Sequence, residues 1–153
     1  MPQNFRVDRI IDARTGKFAW DPILESQALD PVGGMKGKLA GFLVQFYKTS
    51  GNVQAQQVEL KNHKVEGNVS ETFIGNLPPY STVKLSIAAL NERYQGPFSA
   101  PITIYTLEGV PGPVVNLRGI PYGSSGVRLE WEEPEEPNGV ITGYEILFQQ
   151  IST

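Results

Sequence analysis

The side chains best suited to chemistry are few. His63 is the one histidine and cysteine is absent. A Ser-His-Asp arrangement would therefore have to pass through His63, and a thiol nucleophile, a disulfide framework and a Cys-ligated zinc site are all ruled out. His63 lies in the polar run Lys61-Asn62-His63-Lys64-Val65-Glu66-Gly67-Asn68, which reads as a turn and predicts a solvated loop histidine rather than a base aimed into a cleft. No Gly-x-Ser-x-Gly elbow, His-Glu-x-x-His helix or phosphate-cradling glycine loop is present. These residues point away from an enzyme and require no cofactor.

Three other groups carry possible roles. Glu130, Glu132, Glu133, Glu135 and Glu136 form an acidic cluster, and calcium favours several carboxylate oxygens. Glu130 and Glu132, however, flank Trp131 on the opposite face of a predicted strand, and the rest fall in a proline-rich turn poorly suited to wrapping an ion. The cluster is read as a solvated, self-repelling edge that discourages aggregation, and no metal is expected. Asn68-Val69-Ser70 is an acceptor sequence for N-glycosylation at the edge of a polar segment. Arg93 and Tyr94, in Arg93-Tyr94-Gln95-Gly96, occupy a predicted turn. Both residue types are enriched where proteins bind proteins, which makes them candidate anchors beside the plainer reading of an ordinary turn.

The elements that must position these groups are short. Sixteen Gly and 12 Pro punctuate brief apolar runs, the pattern of an all-β chain rich in turns. The first strands are expected at Phe5–Ile10 and Lys17–Trp20, followed by a glycine-rich connection from Ile23 to Lys38. In Gly41–Lys48 the residues Phe42, Val44 and Phe46 share one face and Leu43, Gln45 and Tyr47 the other, so this strand is expected at the centre of a sheet. Further strands are expected at Gln54–Leu60, Val69–Ile74, Val83–Leu90 and Ile102–Thr106, giving seven. After Leu107-Glu108-Gly109-Val110-Pro111-Gly112-Pro113 the pattern restarts. Val127, Leu129 and Trp131 echo the Trp20 strand, and Tyr144, Ile146 and Phe148 echo the Phe42 strand, an internal repeat of about 110 residues.

Both copies resemble the fibronectin type III family, in which a Trp closes the second strand, a Pro follows, and a Gly-aromatic-x-aliphatic-x-aromatic strand comes next. The matching residues are Trp20, Pro22 and Gly41-Phe42-Leu43-Val44-Gln45-Phe46, then Trp131, Pro134 and Gly143-Tyr144-Glu145-Ile146-Leu147-Phe148. Asn76-Leu77-Pro78-Pro79-Tyr80-Ser81, leading to Ala88-Ala89-Leu90-Asn91-Glu92 and Gly96-Pro97-Phe98-Ser99, resembles the family's sixth-strand signature. One position departs. The family usually places a Tyr six residues after that Leu to bond back across the corner, and here stands Val83. Either Tyr80 takes over part of that role or packing alone holds the corner. The long connection and the Glu108-to-Gly112 junction look most like the third and fourth repeats of neural adhesion molecules of the neurofascin and neuroglian type.

The resemblance implies an immunoglobulin-like, seven-stranded antiparallel β-sandwich over 1–107, a Pro/Gly linker over 108–113, and about three strands of an incomplete second copy over 114–153. Its expected core is Trp20, Phe42, Val44, Phe46, Leu77, Leu85 and Ile87, with Trp131, Tyr144 and Ile146 in the second copy. It also implies an extracellular, glycosylated protein-interaction module of a single-pass plasma-membrane receptor in cell–cell adhesion, its partners being other adhesion proteins, homophilic or heterophilic. The turn holding Arg93 and Tyr94 is where some fibronectin repeats carry Arg-Gly-Asp, which is absent here. Two readings from other classes stand beside it: an intracellular muscle-type repeat, and an accessory domain of a receptor phosphatase or a polysaccharide hydrolase. The net charge of −3 and the lack of adjacent basic residues argue against nucleic acid or an anionic membrane as partner. No small-molecule substrate is expected. No apolar stretch reaches the length of a membrane span, and Met1-Pro2-Gln3-Asn4 does not read as a signal peptide. Exposed strands in the second copy would be templates for a homodimer, or for strands supplied by another chain.

Overall fold

The computed structural model describes residues 1–23, 39–49 and 59–151. Contacts divide the chain into one unit over Met1–Gly109 and another over Val110–Thr153. In the first, β1 (Arg6–Ile10), β2 (Gly16–Ala19) and β5 (Glu71–Ile74) form a three-stranded sheet in the order β1-β2-β5. Facing it, β4 (Lys61–Glu66), β3 (Leu39–Thr49), β6 (Thr82–Asn91) and β7 (Ile102–Tyr105) form a four-stranded sheet in the order β4-β3-β6-β7. Every pairing is antiparallel.

The alternating side chains explain the layers. On β3, Phe42, Val44 and Phe46 pair with Ala89, Ile87 and Leu85 on β6, and all six are buried on one face. Phe18 and Ile74 of the opposite sheet close over them, with Leu77 and Val83 at one end. Trp20 lies one residue beyond β2, only 1% exposed, with its ring 4.8 Å from that of Phe42. Burying each such side chain contributes about 1.5–3 kcal/mol. Trp20, Phe42, Val44, Phe46, Leu77, Leu85 and Ile87 are all buried, and Phe5, Phe18, Ile74, Val83, Ala89 and Ile104 complete the cluster.

Where the sequence reading left the corner open, the structure closes it with Thr106. Its hydroxyl accepts the Ser81 N–H at 2.8 Å and donates to the Pro78 carbonyl at 2.7 Å. The Thr106 N–H donates to the Ser81 carbonyl and the Tyr80 N–H to the Leu107 carbonyl. Val83 packs fully buried where the family's Tyr would stand, and Tyr80 is exposed with a positive φ of 45°. Thr106, rather than Tyr80 or packing alone, ties the corner.

One expectation lies mostly outside the described residues and another is corrected. The strand expected at Gln54–Leu60 falls largely outside the described residues, and Glu59 and Leu60 are not in a strand. The polar run after it, expected as a turn, is β4. Its pairing with β3 runs from Gly41↔Glu66 to Phe46↔Lys61. An edge strand can carry a largely polar inward row, and here that row is Lys61, His63 and Val65, of which Val65 packs on the core. The glycine-rich connection lies mainly outside the described residues.

The second unit holds a hairpin of β8 (Val115–Tyr122) and β9 (Gly126–Glu132). Tyr144, Ile146 and Phe148 alternate as expected but belong to no strand. Trp131 is half-buried, its ring 5.2 Å from that of Tyr144 in an edge-on contact. Tyr144 and Ile146 are 44% and 53% exposed, so they are not core residues. The physical reason is that a strand needs a partner, and the described residues supply none for this segment.

Candidate protein-recognition site

The turn between β6 and β7 is built by Asn91. Its side-chain oxygen accepts the backbone N–H groups of Arg93 at 2.8 Å and Tyr94 at 2.5 Å, a local bond that replaces ordinary turn pairing. The Asn91 N–H donates to the Tyr94 carbonyl, and Gln95 bridges back to Leu90. The turn is therefore pinned at several points, and it presents Tyr94 at 71% exposure beside an exposed Arg93. Such a tip loses little entropy on binding.

Below this turn the outer face of the four-stranded sheet carries a shallow, open cleft of about 730 Å³. Lys64, Glu66 and Gly67 line one side, Leu90 contributes apolar surface, and Glu92, Arg93, Tyr94 and Gln95 line the other. Two cations, two carboxylates, an aromatic ring and an aliphatic surface suit a polypeptide partner better than a single small anion. Arg93 and Tyr94 were legible as candidates from the sequence. Lys64, Glu66 and Leu90 were missed, because β4 was read as a turn and its outward row of side chains was invisible.

The remaining candidates are not among the residues lining the cleft. Asn68 is exposed in the segment between β4 and β5, one residue after Gly67. His63 sits half-buried on β4, its Nε2 3.0 Å from the Thr72 Oγ1 on β5. This corrects the solvated-loop reading: burial pushes the imidazole below its ordinary value of 6.5, and the ring joins the two sheets along one side. The acidic cluster is not uniformly repelling. Glu130 pairs with both Arg118 across the hairpin and Arg128 beside it, and Glu132 accepts a bond from Asn116. Among the described residues no group of three or more His, Asp or Glu is placed to hold a metal ion.

These two facing sheets, with the Trp-Phe pair between them, define a fibronectin type III β-sandwich. In solved structures, the third fibronectin III domain of human KIAA0343 protein matches at a TM-score of 0.60 and 24% identity, over 73% of this chain and 84% of that one. No family model matches the sequence. Among curated relatives, neuroglian of Drosophila melanogaster is 32% identical over 150 residues, 98% of this chain and 11% of that protein. Neurofascin of Gallus gallus is 33% identical over 150 residues, 97% of this chain and 10% of that protein. The chain is a homologue of a segment of these neural cell adhesion molecules, and it spans about a tenth of their length. No helix long and apolar enough to cross a membrane is present among the described residues.

Proposed function

We propose that this chain is a non-catalytic, extracellular protein-interaction and spacer module of a single-pass cell-adhesion receptor, supporting neural-type recognition between cells. The observation that carries the reading is the pinned turn, which holds Arg93 and Tyr94 over a mixed-charge cleft on a rigid sandwich. Kinship with segments of neural adhesion molecules supports the same direction. A soluble form of the chain clustered on beads should bind the surface of neural cells, and R93A/Y94A should lose most of that binding with the fold intact by circular dichroism. Equal binding by the double variant would remove the site from the account.

A second reading concerns the second unit, taken as the start of another repeat. Leu147 and Phe148 are 85% and 95% exposed there, with Tyr144 and Ile146 beside them in sequence. Large apolar side chains left this open favour association with further strands. A homodimer through this unit is the form of association proposed.

A further inference from the structure

We propose that Asn68 carries an N-linked glycan that shields one side of the sandwich and leaves the opposite side open; this rests on the extracellular reading above. Asn68-Val69-Ser70 is the only Asn-x-Ser/Thr triplet in the chain. Asn68 and Val69 are exposed between the end of β4 and the start of β5. Gly67 supplies the turn: its φ of +86° is a conformation that glycine adopts at no steric cost, and its N–H is held by the Ala40 carbonyl at 2.8 Å. The acceptor amide thus stands on a defined, solvent-facing turn, where a glycan is compatible with the folded core.

In the transfer, the Asn68 Nδ2 bonds to the anomeric carbon of a lipid diphosphate-linked oligosaccharide. The bond from that carbon to the diphosphate oxygen breaks, the lipid diphosphate leaves with the electron pair, and the amide gives up one proton.

The position has a geometric consequence. β4 and β5 are the outer strands of different sheets, and the His63–Thr72 bond brings them together along one side. A glycan rooted on the turn that joins them covers one end of that side, including the Lys64, Glu66 and Gly67 flank of the cleft, so that a partner approaches the cleft from the Arg93 and Tyr94 flank. Outer strands are natural templates for unwanted pairing, and β4 also carries Lys61, Lys64 and Glu66. By contrast β7, the outer strand at the other side of the larger sheet, reads Ile-Thr-Ile-Tyr with neither charge nor proline.

The test routes the whole chain through a secretory pathway with an added leader, so that the acceptor is judged apart from its native compartment. Treatment with an N-glycan-releasing amidase should lower the mass of the wild type and of S70T, and leave S70A and N68Q unchanged. Secreted, folded wild type without a glycan overturns the proposal. Because the chain has no cysteine, single cysteines report shielding cleanly. E66C should react with a polyethylene-glycol maleimide several-fold more slowly with the glycan than with S70A added, and T103C equally in both. Equal rates at position 66 would overturn the shielding. A glycan that forms here, while the native protein is found unglycosylated and beyond the reach of surface biotinylation, would instead sink the extracellular reading.

Discussion

Thr106 shows how much one hydroxyl can hold. It is 7% exposed and satisfies an N–H and a carbonyl at the same corner, so T106V would leave both without their partner. The expected loss is about 1–3 kcal/mol in urea unfolding, with T106S recovering most of it. Equal stability of T106V and wild type would show that the packing of Val83 suffices. His63 makes a pH-dependent contribution. Because burial lowers its pKa in the folded state, the unfolded chain takes up its proton at the higher pH. The neutral ring therefore favours folding above the unfolded value of 6.5, and stability is lost as pH falls through that value toward the folded one. Between neutral pH and about pH 5, wild type should lose more stability than H63Q, as read from paired thermal melts. Parallel losses would assign the imidazole no part in it.

At the scale of elements, legibility followed packing. β3 and β6 declared themselves because their inward rows are apolar from Phe42 to Phe46 and from Val83 to Ala89, so Phe42, Val44, Phe46, Leu85 and Ile87 could be placed in the core from alternation alone. β4 did not, since its inward row holds Lys61 and His63 and only Val65 is apolar. The cleft inherited that gap: Arg93 and Tyr94 are recognisable by residue type, whereas Lys64 and Glu66 become visible only once the register with β3 is known. Tyr144, Ile146 and Phe148 show the converse, for their alternation is plain in the sequence and strand pairing still depends on a neighbour. Gly41 gives the sharpest test of the β3–β4 register, because an added Cβ there would run into the Val65 carbonyl. G41A should cost about 1–3 kcal/mol and raise hydrogen exchange in β4 before β6. Unchanged exchange in both strands would contradict that register.

For the whole molecule, the two units should behave differently. The first carries its own core and should fold alone, whereas the second exposes much of its apolar surface. In sedimentation velocity across a range of concentrations, the full chain should shift toward a dimer while a version stopped at Glu108 stays monomeric. If both remain monomers, the second unit does not drive self-association. The central claim is that the first unit recognises a protein on another cell through the turn over the cleft. The most direct measurement is saturable binding of residues 1–109 to live neural cells, before and after surface proteolysis. The account predicts binding that proteolysis abolishes and that R93A/Y94A reduces at least about tenfold, the equivalent of about 1.4 kcal/mol. Binding that is indifferent to both the protease and the double variant would contradict it.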